Sequence, residues 1–235
     1  MKTRAIFFDL GGTLLKMRRD TIMKTVLGWE GHNVAESQVH DAYFKIEPEW
    51  VKQYGLRIHN EKETKRAYAK LDYMVLNEMS IPGDTEELTR LAELIRDSWP
   101  KLEDEVRPAL YPESNHLLSQ LKSEGFILGL ISNAPPETSQ TVEKLGLQKY
   151  LDPVVISGIY GYAKPHPEIF RRALDLAGVT PRESIHVGDL YDADVLGAEG
   201  VGMGAVLVDR DNRYPLARCS RVADLSEVPK FIKKD

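Results

Sequence analysis

Phe7-Phe8-Asp9-Leu10-Gly11-Gly12-Thr13-Leu14 is the stretch on which the reading of the fold turns. The apolar run Ala5–Phe8 before the aspartate has the length of a strand. It shows no alternation of apolar and polar residues, as expected of a strand covered on both faces. It ends in a carboxylate and then two glycines, which let backbone approach a ligand closely. Open parallel sheets bind ligands outside the carboxyl ends of their strands, so Asp9 stands at the ligand-binding edge. Alone, the stretch reads equally well as a strand-end aspartate opening a glycine turn.

Working outward, further apolar runs of strand length follow at Ile127–Ile131, Val154–Ile156, Ser184–Val187 and Ala205–Val208. Helical patterns lie between them. Pro112–Gly125 places Leu117, Leu118 and Leu121 on one face, and Pro136–Gly146 and Pro167–Gly178 start near a proline and stop near a glycine. Strands alternating with helices predict an α/β fold, a doubly wound parallel sheet with right-handed crossovers. Gly200-Val201-Gly202-Met203-Gly204 follows a helix and precedes a strand, so it reads as an αβ connection rather than a nucleotide loop.

Residues 17–107 break this rhythm. No strand pattern occurs there, and four amphipathic helices are expected: Thr21–Trp29, Ser37–Tyr54, Glu61–Met79 and Asp84–Trp99. Gly31-His32-Asn33, Gly55 and Pro82-Gly83 punctuate them. The segment leaves from the carboxyl end of the first strand, where an insertion can close over a site as a lid. The expected division is a core of residues 1–15 and 107–235 and a helical cap of residues 16–106.

Composition bounds the function classes. The 235 residues are 42% apolar and 29% charged, ordinary for a folded chain. The formal charge of −5 supplies no basic excess to displace the counterions of a nucleic acid. The single cysteine, Cys219, permits no intrachain disulfide and suits a reducing compartment. No run approaches the roughly 18 apolar residues of a membrane span. The apolar stretch at the N-terminus is too short for the core of a signal peptide. A cytoplasmic protein without membrane or nucleic-acid partners is expected.

Three more strand ends carry chemistry. Gly188-Asp189-Leu190-Tyr191-Asp192-Ala193-Asp194 crowds three acids after the run Ser184–Val187, a costly arrangement without a cation. Its all-oxygen donors suit Mg²⁺, with Asp189 and Asp194 the candidates and Asp192 fitting a plain helix N-cap among solvated neighbours. Ser132-Asn133 follows another strand, where a hydroxyl and backbone N–H groups can hold a phosphoryl oxygen. Lys164, in Ala163-Lys164-Pro165-His166-Pro167, can neutralise anionic oxygens. The last two are weak singly, because Ser-Asn turns and solvated lysines are everyday features.

Together, the order and spacing of Asp9 to Thr13, Ser132, Lys164 and Asp189 to Asp194, with the helical insertion between the first two motifs, resemble the haloacid dehalogenase-like hydrolase superfamily. The resemblance spans nearly the whole chain. It implies a Rossmann-like core with a helical cap, and a phosphatase-like hydrolase. It assigns Asp9 as the nucleophile that becomes an aspartyl-phosphate. It also implies a Mg²⁺ held by Asp9, the Gly11 carbonyl and Asp189, with Asp194 in support. Ser132, Asn133 and Lys164 would bind the phosphoryl group, Lys164 would restrain Asp9, and Thr13 would orient the nucleophile loop.

The chain departs from the phosphatase pattern at Gly11, where those relatives carry a second aspartate that protonates the leaving alcohol. Such a group is worth roughly 10²–10⁴-fold in rate. Three readings follow: a phosphatase that is slow or borrows another acid, a dehalogenase whose halide leaves without a proton, and a low-turnover binding or regulatory protein. Dehalogenases need no Mg²⁺ and lack the arrangement kept at Gly188, Asp189 and Asp194. His166, Tyr162, His59 and His32 are candidate replacement acids, while His186 reads as a strand residue.

Substrate choice is expected to lie in the cap, and a small phosphorylated metabolite is the expected partner. Trp29, Tyr43, Phe44, Trp50, Tyr54, Tyr68 and Tyr73 read first as cap core. Arg18, Arg19, Arg57 and Arg66 serve equally as anion contacts or as a solvated face. A monomer and a homodimer are both compatible with the sequence.

Overall fold

A computed structural model of the chain describes residues 2–54, 61–98, 101–102 and 109–233. Two compact units are present, Met1–Lys16 with Ala109–Asp235, and Met17–Pro108.

The first unit is built on a sheet in the order β5-β4-β1-β6-β7-β8, with every neighbouring pair parallel. Its strands are β1 (Ala5–Phe8), β4 (Ile127–Ser132), β5 (Val154–Ile156), β6 (Ser184–Gly188), β7 (Gly204–Val208) and β8 (Ser220–Val222). The chain runs outward from β1 through β4 to β5, then crosses back to β6 on the other side of β1. That reversal makes β1 the switch point of a doubly wound sheet, the crevice where such folds bind ligands. Flanking helices are α5 (Ser114–Ser123), α6 (Thr138–Lys144), α7 (Ser157–Tyr160), α8 (Pro167–Ala177) and α9 (Gly197–Gly200). A π-helical turn, Tyr191–Leu196, leads into α9.

The unbroken apolarity of β1 is explained by its surroundings. Ile6, Phe7 and Phe8 are fully buried, and Phe7 packs in a cluster with Ile131, Val155, Ile169, Phe170 and Leu174. Burying an aromatic or branched side chain of this size is worth about 1.5–3 kcal/mol each.

Three strands escaped the sequence reading. β2 (Leu15–Lys16) and β3 (Ala109–Leu110) form a two-stranded antiparallel ribbon, each only two residues long. β8 holds the sheet edge with the polar residues Ser220 and Arg221.

The second unit is helical: α1 (Arg19–Trp29), α2 (Glu36–Tyr54), α3 (Glu61–Glu78) and α4 (Thr85–Ser98). It has its own core, including Ile22, Val26, Leu71, Val75, Leu91 and Ile95. Tyr43 and Trp50 are buried in it, whereas Trp29 is 61% exposed, against the expectation that it is core. Arg19 forms a two-pronged pair with Glu47 (2.6 and 3.0 Å), so it packs the helices rather than facing a solvated surface. Gly55, Arg57, His59 and Trp99 lie outside the described residues. No helix among the described residues is long and apolar enough to cross a membrane.

Candidate active site

Sheet register assembles the site. Phe8 pairs with Leu130 on one side and Val187 on the other. Asp9 follows Phe8 and its N–H donates to the Val187 carbonyl at 2.8 Å. The same edge therefore carries Asp9, Ser132 at the end of β4, and Asp189 directly after β6. All three side chains are buried, as are Thr13, Lys164 and Asp194.

Lys164 ties the acids together. Its Nζ donates to Asp9 Oδ1 and to Asp194 Oδ1, each at 2.6 Å. Its backbone is gripped by Asn133, whose Oδ1 accepts from the Lys164 N–H (2.7 Å) and whose Nδ2 donates to the Lys164 carbonyl (2.9 Å). Both ends of the Asn133 carboxamide thus hold the Lys164 backbone in place.

Asp194 is bracketed from three directions. Beside Lys164, its Oδ1 accepts from His186 Nε2 at 2.9 Å, and its Oδ2 accepts from the Leu190 N–H at 2.9 Å. Burial holds His186 below the usual histidine range against the pull of Asp194, which leaves a neutral ring. The hydrogen bond to the Asp194 carboxylate places its proton on Nε2, and Nδ1 is buried with no hydrogen-bond partner among the described residues.

Two glycines make room for carboxylates. At Gly12, φ is +81°, and a Cβ would lie 2.2 Å from Asp189 Oδ2. At Gly188 a Cβ would lie 2.2 Å from Asp194 Cγ. Gly11 is half-buried and bridges to Leu15 within the same turn. Thr13 Oγ1 donates to Asp189 Oδ1 at 3.4 Å, and the Thr13 carbonyl accepts from Arg210 Nη2 at 3.3 Å.

The electrostatics are unequal across the acids. Burial pushes Asp9 up from 3.8 to about 6, with Lys164 opposing and Asp194 reinforcing. Burial also raises Asp194, but the nearby Lys164 ammonium and the His186 hydrogen bond outweigh it and hold the carboxyl well below its usual range. Desolvation lowers Lys164, yet the two carboxylates carry it above the usual lysine value. It is charged at neutral pH.

Oxygen atoms of Asp9, Asp189 and Asp194 lie within 4.8 Å of one another. Three buried carboxylates share one lysine that bridges two of them and one arginine 3.7 Å from the third, which leaves an excess of negative charge, and their donors are all oxygen. That set fits a hard divalent cation such as Mg²⁺.

The other residues singled out from sequence fall at the margins. Asp192 is exposed in the first turn of the π-helical segment. His166 caps α8, its Nδ1 accepting from the Glu168 N–H at 3.2 Å, and its ring stacks on Tyr162 at 4.7 Å. His32 is half-buried in the helical unit. The sequence reading missed the partnership of His186 with Asp194. It also missed Arg210 and Arg213, although both follow the strand β7 at the same sheet edge as the other motifs.

The profile of the haloacid dehalogenase-like hydrolases matches residues 3–202. The chain belongs to this family. It is 41% identical over 128 residues to a phosphoserine phosphatase of Thermus thermophilus, covering 52% of this chain and 51% of that one. It is 37% identical over 107 residues to a glyceraldehyde 3-phosphate phosphatase of Methanothermobacter thermautotrophicus, covering 45% and 46%. The chain thus spans about half the length of these curated relatives. Its fold is similar to that of a dehalogenase solved as an intermediate complex, with TM-score 0.73, 22% identity and coverage of 100% and 99%.

Proposed function

We propose that this chain is a Mg²⁺-dependent phosphoric monoester hydrolase that works through an aspartyl-phosphate on Asp9. The observation that carries the reading is the buried Asp9–Lys164–Asp194 bridge with Asp189 beside it, at the switch point of the sheet. Two relatives named as phosphatases of small phosphorylated metabolites support that substrate class.

In the first step an Asp9 oxygen attacks phosphorus and the bond from phosphorus to the leaving oxygen breaks, forming the acyl phosphate. Lys164 faces the developing negative charge with a fixed ammonium group, which needs no reorganisation as the reaction proceeds. The Ser132 hydroxyl donates to a phosphoryl oxygen. Asn133 and Asp194 act through Lys164 by holding its backbone and its ammonium group. Asp9, the Gly11 carbonyl and Asp189 would hold the cation, with Asp194 in support, and when bound it neutralises charge on the phosphoryl oxygens. In the second step water adds to phosphorus, Asp9 departs as a carboxylate, and inorganic phosphate carries the oxygen of water.

Gly11 places no carboxyl beside the leaving oxygen. Substrates whose leaving group departs readily without a proton are therefore favoured. The test is hydrolysis of p-nitrophenyl phosphate with Mg²⁺. Turnover should cease on chelation and in Asp9→Asn. Turnover near wild type in Asp9→Asn would remove Asp9 as the nucleophile.

A further inference from the structure

Lys164 bridges Asp9 and Asp194, and Asp189 stands outside that bridge. A cationic group beside Asp189 is Arg213, with Nη2 3.7 Å from Asp189 Oδ2 and Nε 3.9 Å from the more exposed Asp211 Oδ2. The Arg213 side chain is 18% exposed, so water screens this approach only in part.

The loop after β7 is built to deliver that guanidinium. Asp209, itself buried, accepts from the Arg213 N–H at 2.6 Å and from the Tyr214 N–H at 3.0 Å. Arg221 Nη1 closes the turn from β8, donating to Asp209 Oδ2 (3.0 Å), Asn212 Oδ1 (3.1 Å) and the Tyr214 carbonyl (2.8 Å). Asn212 takes the left-handed conformation, φ 52°, that reverses the chain just before Arg213. Arg210, three residues earlier, bonds the Thr13 carbonyl and lies 3.5 Å over the Tyr111 ring. The loop is therefore fixed both to the neighbouring strand β8 and to the nucleophile loop.

We propose that Arg213 is a built-in counter-ion of Asp189 that competes with the divalent cation and so sets how tightly the site binds it. This rests on the reading of Asp9, Asp189 and Asp194 as the cation site. A positive group this close to a ligand carboxylate stabilises the metal-free protein and opposes the arrival of a second positive charge.

The experiment compares chelator-treated wild type with Arg213→Gln, Arg213→Lys and, as a control for net charge, Lys122→Gln on the exposed side of α5. Mg²⁺ alone is titrated by calorimetry, and thermal unfolding is followed in chelator and in Mg²⁺. Arg213→Gln should bind Mg²⁺ about fivefold more tightly, melt lower in chelator, and gain more from added Mg²⁺. Arg213→Lys should lie between it and wild type, and Lys122→Gln should match wild type. Equal or weaker Mg²⁺ binding by Arg213→Gln, with wild type binding normally, would overturn this proposal alone. Wild type showing no Mg²⁺ binding would overturn the cation site and, with it, the proposed function.

Discussion

At Asp9, burial and charge act in opposite directions, and the balance sets the protonation state of the nucleophile. Burial raises its pKa to about 6, Lys164 resists, and Asp194 adds to the rise. Two positions away, Gly11 supplies backbone where a second carboxyl would be a proton donor. If that missing acid limits turnover, Gly11→Asp should raise kcat for an alkyl phosphate by roughly tenfold or more. It should change kcat for p-nitrophenyl phosphate far less, because that leaving group departs without a proton. Steady-state kinetics on both substrates check this, and an unchanged or lower rate on the alkyl phosphate would refute it.

Among the elements, the turn between β1 and β2 and the start of the segment after β6 share one problem: carboxylates must pack against backbone. Glycine solves it twice, at Gly12 and Gly188. Gly12→Ala combines a positive φ with a Cβ placed against Asp189. It is expected to cost about 1–2 kcal/mol from the backbone conformation alone. Displacement of Asp189 should also weaken Mg²⁺ binding. Urea unfolding and calorimetry would show both losses, and a variant with wild-type values for each would refute the account of this turn.

The same elements show what sequence makes legible. β1, β4, β5, β6 and β7 are strands buried on both faces, so their apolar runs stand out. β2 and β3 are too short to show a period, and β8 is an edge strand with Arg221 engaged in a loop. Asp9, Ser132, Lys164 and Asp189 were visible because each lies at or next to a strand end or shortly before a proline-led helix. The grip of Asn133 on Lys164 could not be read, because it depends on β4 and β5 being neighbours, and that of His186 on Asp194 depends on how the segment after β6 folds back on its own strand. Arg213 left a readable trace, the polar run Asp209-Arg210-Asp211-Asn212-Arg213 after an apolar strand, but its partner Asp189 is set by the pairing of β6 with β7.

For the whole molecule, protons and cations compete for the same acid cluster. The raised pKa of Asp9 means that its ionisation opposes folding of the metal-free protein: this group favours the folded state below about pH 4 and loses that contribution as pH rises through about 6. Asp194 has the opposite sign. Its lowered pKa contributes stability above the usual carboxylate range, lost only in strong acid. A divalent cation binds the ionised form of Asp9, so the stabilisation it gives must grow as pH rises through about 6. Thermal unfolding in chelator and in Mg²⁺, from about pH 5 to 8, should show the gap in Tm widening across that range. A gap independent of pH would contradict the placement of Asp9 among the cation's ligands.

The central claim is covalent: the phosphoryl group passes through Asp9. Rapid acid quench during turnover of p-nitrophenyl phosphate, followed by peptide mass spectrometry, tests it directly. The account predicts one phosphoryl group on the peptide containing Asp9, absent after chelation and absent in Asp9→Asn. Full product formation with no adduct on that peptide, or with the phosphoryl group on another residue, would contradict it.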